Sequence, residues 1–403
     1  TLVGDTSAVV FPGGTKRAYS YDGRGRLTAV ETLDGSQGLL ARYAYGYDGE
    51  GWIPLASAHG GLRTAVTVDM PTLGLSQQAT RYRYDASYRL VRAEYGASGA
   101  FQGRNDEWTY DAIGNRTAAW VGNAQNLYQY QLNAAGNNSA RLLHVGADAL
   151  SYNVDGSVAT WLRPGGTTTF DYSTFADPVR MDSPSVTVNV ERDRDGVRTD
   201  GGLTRGLVPL WKGATQEGVL RDPQSGSVLA ILRSGGEVVL AVVDGAMNVT
   251  MTVDVSGQVG SAVLFDAWGE VLAGVEAPEA GFVGQAAAAD NVRLLGYRFF
   301  YPRYGRFLSA DPLGRINKTQ MPEEEYAYAM NSPVMYDDSV GLAPRCTATS
   351  TPPMLVLDQA KVWDSLWIPY SSSQVDITAN PRQLAHEPGQ THIPPPRYGR
   401  GVP

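Results

Sequence analysis

The sequence predicts an all-β fold that is built as a strip of β-hairpins. A unit of the form aromatic-x-Tyr-Asp-x-x-Gly, followed by a polar and an apolar residue, recurs along the first half of the chain. Threonine, valine and tyrosine, which favour strands, flank these units, as in residues 167–172 and 186–190. Repetition at a regular spacing is the signature of a repeat architecture, so we expect equivalent hairpins to follow one another.

Each unit has the pattern of one hairpin arm and its turn. The clear copies are residues 19–27, 45–53, 82–90 and 108–116, and the weaker copies are 130–138, 150–158, 170–179 and 190–198. Side chains alternate along a strand, so the two aromatics of a unit share a face, and Asp-x-x-Gly suits a tight turn. One hairpin cannot bury its aromatic face alone, which predicts that neighbouring hairpins stack into a continuous sheet. We expect these tyrosines to be core residues and each following Asp to be a turn residue.

Composition and residue spacing argue against several functional classes. The net charge is −8 and the charges are scattered, which argues against a nucleic-acid-binding surface. A single cysteine, Cys346, cannot form an intrachain disulfide or a cysteine-rich metal site. The four histidines have no metal-ligand spacing, so we expect neither a metal nor another cofactor. The sequence has no run of about 18 apolar residues, so no membrane span is predicted, and residues 1–20 do not resemble a signal peptide.

Four segments follow from the changes in pattern along the chain. Residues 1–200 are predicted to form the repeat strip, and 201–280 to continue it with longer, more apolar strands. Residues 281–342 contain further turn motifs and a predicted short helix at 321–330, where Pro322 and acidic residues precede alanines. The last segment, 343–403, holds 10 of the 23 prolines and is expected to be extended or partly disordered.

Two short motifs stand out in the third segment. They are Asp311-Pro-Leu-Gly and Asp338-Ser-Val-Gly, and they lie within an aromatic-rich stretch, residues 295–342. This stretch closely resembles the Rhs-associated core, the closing segment of bacterial YD-repeat shell proteins, which are related to the C subunit of bacterial toxin complexes. The resemblance extends over residues 281–342. It implies that the strip winds into a spiral shell, and that residues 343–403 are a variable passenger, often a toxin in this family.

The resemblance also implies an aspartyl self-cleaving site at the two Asp motifs. Hydrolysis of a peptide by carboxylates needs two of them close together sharing one proton, and Asp311 and Asp338 are the candidates. Because they are 27 residues apart, the chain between them must fold back. Arg298 and Arg306 are candidates to hold the ionised carboxylate or a carbonyl oxygen. Asp337 is a further supporting candidate, because it adjoins Asp338.

By the same resemblance, the bond between Leu342 and Ala343 is the one that is cleaved. Ser339 stands where the family has proline, and Tyr301 stands where an Asp is expected before Pro302. Both Asp motifs also suit type I turns, so an alternative is that they only form turns that close the shell. Cleavage of a tethered bond would run once, and the chain would not be an enzyme in the turnover sense.

Three functional hypotheses remain open at this point. The first is a bacterial shell protein, secreted or at the cell surface, that encloses or presents its C-terminal passenger and cuts it free. The second is a cell-surface or filament-associated structural protein that uses the strip for adhesion or carbohydrate contact. The third is a toxin-complex subunit that pairs with a second shell subunit. The expected partners are therefore the passenger, a second shell subunit or a secretion apparatus.

Overall fold

A computed structural model describes residues 8–47, 61–96, 101, 103–174, 177–190, 211–212, 215–216, 218–222, 226–233, 236–312, 325–342 and 344–346. The chain divides into two units, residues 1–368 and 369–403, and all described residues belong to the first. Almost all regular structure in these residues is antiparallel β-sheet, so the predicted all-β class is confirmed. Most of the proline-rich tail, and with it the prediction made for the tail, lies outside the described residues.

The first and largest sheet is an open strip of sixteen strands. Each strand is hydrogen-bonded to its neighbours in sequence, so the strip is a continuous series of hairpins. Its strands are β1 Ala8–Val10, β2 Lys16–Tyr21, β3 Leu27–Leu33, β4 Leu39–Tyr47, β5 Arg63–Met70, β6 Leu75–Tyr84, β7 Leu90–Tyr95, β8 Asn105–Tyr110, β9 Arg116–Val121, β10 Ala124–Leu132, β11 Asn138–Val145, β12 Asp148–Tyr152, β13 Val158–Arg163, β14 Gly166–Tyr172, β15 Pro178–Asp182 and β16 Thr187–Asn189.

Smaller sheets follow the strip. A two-stranded sheet and a six-stranded sheet come first, formed by β17 Trp211–Lys212, β18 Thr215–Gln216, β19 Gly218–Arg221, β20 Val228–Leu232, β21 Val238–Val243, β22 Val249–Asp254, β23 Val259–Phe265 and β24 Val271–Val275. A four-stranded and a two-stranded sheet complete the chain, formed by β25 Ala287–Ala289, β26 Val292–Leu295, β27 Arg298–Tyr301, β28 Arg306–Phe307, β29 Tyr336–Asp337 and β30 Arg345–Cys346.

The repeats whose turns the structure describes end alike, whereas the turn of the copy at 45–53 lies outside the described residues. The pairing shifts by one residue at the second aromatic, as at Tyr21, Tyr110 and Tyr152, so this residue lies at a bulge just before the turn. After Tyr21 and Tyr110, the following Asp closes the turn with its side chain. In the first unit, Asp22 Oδ1 accepts the backbone N–H groups of Arg24 at 2.9 Å and Arg26 at 3.0 Å. The Asp of the repeat is therefore a turn residue, as predicted.

Tyrosine hydroxyls connect one hairpin to the next. The hydroxyl of Tyr47 donates to the carbonyl oxygen of Leu27 at 2.6 Å, and that of Tyr110 donates to the carbonyl oxygen of Leu90 at 2.8 Å. Each acceptor is the first residue of a strand that follows an earlier turn. The guanidinium of Arg89 lies over the Tyr110 ring, 4.8 Å from its centroid. The geometry that repeats from unit to unit therefore depends on a polar link as well as on apolar packing.

The aromatic face of the strip is covered by the later sheets. The early strands pack on the six-stranded sheet, where the Tyr43 hydroxyl donates to Thr250 Oγ1 at 2.7 Å. The later strands pack against residues 282–308 and 328–336, where the rings of Trp161 and Tyr301 meet edge to face with centroids 4.5 Å apart. Burial of an aromatic side chain contributes about 1.5–3 kcal/mol, so these two interfaces hold the fold together.

The predicted helix at 321–330 is not found in the described part of that segment. Residues 321–324 lie outside the described residues. Beyond them, Ala327 forms an isolated bridge with Arg306, and Ala329–Asn331 is a single 3-10 turn. Backbone pairing to β28 thus overrides the local helix preference of the alanines, because the bridge satisfies the backbone groups that a helix would use.

We predict that Tyr110→Phe lowers the free energy of unfolding by about 1 kcal/mol, because it removes the hydroxyl that donates to Leu90 and leaves that carbonyl unsatisfied. Urea unfolding followed by circular dichroism measures this difference. Tyr19→Phe is the matched control, since the Tyr19 hydroxyl makes only a long contact of 3.4 Å with Arg17. Equal losses in the two variants would contradict a specific link between hairpins.

Candidate functional site

Residues 281–312 and 325–342 form a compact, largely buried segment, which we call the core segment. It packs beside the later strands of the strip. The N–H of Val158 donates to the carbonyl oxygen of Leu308 at 2.8 Å, and the Tyr172 hydroxyl donates to the same oxygen at 3.5 Å. Trp161 Nε1 donates to the Tyr304 hydroxyl at 3.0 Å. The core segment is thus fixed to the strip by the same kinds of contact that link the repeats.

Backbone pairing brings the two Asp motifs together across the 27 residues that separate them. The N–H of Asp311 donates to the carbonyl oxygen of Glu325 at 2.8 Å. The N–H of Tyr297 donates to the carbonyl oxygen of Val340 at 3.0 Å. A side chain at Gly296, whose φ is +52°, would meet that carbonyl oxygen at 2.1 Å, so only glycine permits this close approach. The turn before β27 therefore lies directly against the second Asp motif.

Arg298 joins the two candidate carboxylates. Its Nη2 atom lies 2.9 Å from Asp338 Oδ2 and 3.4 Å from Asp311 Oδ2. All three side chains are buried, with exposed fractions of 2% for Arg298, 2% for Asp338 and 7% for Asp311. The Arg298 guanidinium also lies over the ring of Phe307, 3.5 Å from its centroid. One buried cation thus holds both carboxylates in one place, which is the proximity that an aspartyl pair needs.

The same groups hold a backbone peptide unit. Arg298 Nε donates to the carbonyl oxygen of Gly341 at 2.6 Å, and the N–H of Leu342 donates to Asp338 Oδ1 at 3.0 Å. The peptide bond between Gly341 and Leu342 is therefore held from both sides, immediately before the predicted scissile bond. Ala343, on the other side of that bond, lies outside the described residues.

The surroundings of Asp338 favour its protonated form. Burial raises its pKa, and the carboxylates of Asp311 and Asp337 raise it further. The charge of Arg298 and the hydrogen bond from Leu342 act in the opposite direction without reversing the shift. A carboxyl group that keeps its proton above the usual pH range can donate it to a leaving amide nitrogen.

Asp337 and Asp338, the two adjacent candidates for the second carboxylate, differ in their contacts. Asp337 Oδ1 accepts the backbone N–H of Ser339 at 3.2 Å, whereas Asp338 faces Arg298. A proline at position 339 would lack that N–H, so serine gives Asp337 a local partner in this chain. Asp338 is consequently the residue that the fold brings next to Asp311.

Arg306, the second predicted supporting residue, lies elsewhere. Its Nη1 donates to the Tyr130 hydroxyl at 3.1 Å and its Nη2 donates to the Ala140 carbonyl oxygen at 2.5 Å. It thereby fixes the core segment to the strip. Sequence reasoning missed two groups that contact Arg298. The Phe307 ring lies under its guanidinium, and the carbonyl oxygen of Glu325 accepts a hydrogen bond from its Nη1 at 3.2 Å. No sequence signal identifies these groups, because both act through position rather than residue type.

In the part of the chain that the structure describes, no group of three or more His, Cys, Asp or Glu side chains is arranged to hold a metal ion. No helix in that part is long and apolar enough to cross a membrane.

Comparisons with known proteins agree with the repeat pattern. Residues 3–37, which include the first Tyr-Asp unit, match the family model of the RHS Repeat. Residues 3–37 thus contain an RHS repeat. A search of curated protein sequences gave no match.

Solved structures share the fold of this chain. The crystal structure of TcdB2-TccC3-TEV aligns with a TM-score of 0.53 at 16% sequence identity, covering 84% of this chain and 19% of that one. The Tc holotoxin pore of Photorhabdus luminescens, with a substituted TccC3, aligns with the same TM-score, identity and coverage. This chain thus spans about a fifth of the length of these structures.

The raised pKa of Asp338 predicts a pH-dependent contribution to stability. In the unfolded chain this carboxyl loses its proton near pH 4, whereas in the folded chain it keeps it to higher pH. Its contribution is therefore fully present below about pH 4 and is lost as the pH rises through the folded-state pKa. The free energy of unfolding of the native chain should accordingly fall, relative to Asp338→Asn, across that window.

Urea unfolding of both proteins between pH 3 and pH 8 measures this difference. Asp266→Asn is the positive control, because burial raises the pKa of Asp266 to about 7 and its window should extend to that pH. A difference between native and Asp338→Asn that stays constant with pH would mean that Asp338 titrates alike in the folded and unfolded chains.

Proposed function

We propose that this chain is part of an RHS-repeat shell that encloses or presents a C-terminal passenger and releases it by a single aspartyl self-cleavage after Leu342. The observation that supports this most is the buried contact of Arg298 with both Asp311 and Asp338. Two buried carboxylates on one cation are costly to build, and a purely structural turn does not need them.

The roles follow from the contacts. Asp338 keeps a proton and accepts the N–H of Leu342, and in this proposal it donates that proton to the leaving nitrogen of the next residue, Ala343. Asp311, beside Arg298, is the partner that activates the water or backbone group that attacks the carbonyl carbon. Arg298 positions the chain by binding the Gly341 carbonyl oxygen. The tethered bond needs no separate binding step, so placement is the main source of rate.

If Asp338 only closed a turn, the contact of its Oδ1 would be explained, but the contact of its Oδ2 would not. Oδ1 of Asp338 accepts the N–H four residues on, as Oδ1 does in the turns of the strip. In those turns, however, Oδ2 binds the side chain four residues on, as Asp22 binds Arg26 at 2.7 Å. Oδ2 of Asp338 binds Arg298 instead, 40 residues away in sequence. This difference supports a role beyond the turn.

The burial of the aromatic side chains favours a container over an adhesive strip. Every described Tyr, Trp and Phe side chain is at least partly buried. Sugar-binding proteins present aromatic faces to solvent, and the described strip has no such exposed ring. The resemblance further supports a secreted or cell-surface location, with the passenger and a second shell subunit or a secretion apparatus as partners.

We predict that the purified full-length chain is recovered as two fragments, and that Asp311→Asn and Asp338→Asn each restore the intact species. Intact-mass spectrometry of freshly purified protein measures both, and the C-terminal residue of the larger fragment identifies the cleaved bond. A fragment that ends at Leu342 agrees with the proposal, whereas one that ends at Gly341 would place cleavage at the clamped peptide bond.

Two control variants sharpen this test. Asp337→Asn changes a neighbouring carboxyl whose hydrogen bond is to Ser339, and cleavage should persist. Ser339→Pro should also be cleaved, because this is the second position of a turn closed by the Gly341 N–H and the Asp338 carbonyl oxygen, where proline is favoured. A native chain that stays intact on prolonged incubation would refute self-cleavage and leave the shell role alone.

A further inference from the structure

A small cavity lies where the core segment meets the strip. Its volume is about 20 Å³, enough for one particle of roughly the size of a water molecule. The lining comes from both sides of the interface and is mostly polar; it includes Asn115, Arg116, Tyr130, Arg306, Tyr326 and Asn331. This cavity is separate from the Arg298 cluster and has no part in the proposed cleavage.

Two buried guanidinium groups converge on the cavity. Arg116 is 4% exposed and Arg306 is 8% exposed. The guanidinium of Arg116 lies over the Trp268 ring, 4.1 Å from its centroid, while Arg306 donates to the Tyr130 hydroxyl and to the Ala140 carbonyl oxygen. None of the ion pairs in the described part of the chain involves either arginine.

Arg306 differs in this respect from the two fully buried arginines of the core segment, since Arg293 pairs with Glu276 at 2.6 Å and Arg298 pairs with Asp338 at 2.9 Å. Aromatic rings, hydroxyls and carbonyls stabilise a cation but do not neutralise it. Two positive charges in one dry interface therefore favour a counter-charge between them.

The size of the cavity decides which anion fits. A carboxylate, phosphate or sulfate needs several times the available volume, whereas a single halide ion is only slightly larger than water. The hydroxyl of Tyr130 already donates to the Arg116 carbonyl oxygen, and that of Tyr326 donates to the Gly156 carbonyl oxygen. The guanidinium groups are therefore the main donors for such an ion. Asn115, which lines the cavity, donates an amide N–H to the Asp111 carboxylate at 3.1 Å. That carboxylate therefore already has a hydrogen-bond partner within the strip.

We propose that this cavity binds one halide ion, chloride in physiological media, between Arg116 and Arg306. Because the lining belongs to both the strip and the core segment, the ion links the two and stabilises their docking. The site is independent of the proposed cleavage, and its test needs no cleavage readout.

Thermal unfolding in sodium bromide or chloride, against sodium gluconate at equal ionic strength, tests the site in the intact chain. At a halide concentration 100-fold above Kd, linkage predicts a rise in melting temperature on the order of 5 °C. Arg306→Gln should abolish the halide-specific rise. The control Arg233→Gln, which breaks an ion pair with Glu279 at 2.6 Å, should retain it.

Crystals grown in bromide provide a second measurement that does not depend on any variant folding. An anomalous peak within hydrogen-bonding distance of both guanidinium groups is the expected result. The absence of that peak, with density that fits water alone, would overturn the proposal, as would a melting temperature equal in halide and gluconate.

Discussion

The structure depends on covering the aromatic face of a strip that cannot cover itself. Sixteen strands in sequence order make an open sheet, and its alternating pattern leaves one face of Tyr, Trp and Phe side chains that needs a partner. The six-stranded sheet covers the early strands, and the core segment covers the later ones. Because the core segment must dock for the later rings to be buried, any chemistry built into it acquires a fixed and dry position.

Burial away from water changes the energy of every charged side chain in the core segment. Arg298 is held by two carboxylates and an aromatic ring, and burial raises the pKa of Asp338 although this cation lowers it. Arg306 and Arg116 meet only hydroxyls, rings and carbonyl oxygens in the described residues. Three arginines of similar burial thus have two different electrostatic environments, and only the tertiary contacts distinguish them.

One local device is used for two purposes. In the strip, an Asp such as Asp22 closes its turn by accepting backbone N–H groups with Oδ1 and a nearby side chain with Oδ2. Asp338 keeps the first interaction and directs its second oxygen to a distant arginine. The candidate site therefore needs little new architecture. It needs a turn whose partner four residues on, Leu342, has no polar side chain to occupy that oxygen.

The sequence alone determined the all-β class, the hairpin unit and the turn role of its Asp, because alternation and turn chemistry act within a few residues. It also singled out Asp311, Asp338 and Arg298, since their motifs are local. Tertiary structure alone decided that Arg306 faces the strip, that residues 325–331 are not an α-helix, and that Asp338 rather than Asp337 meets Arg298. Those outcomes depend on pairing between segments far apart in sequence, where desolvation and backbone hydrogen bonding outweigh local preference.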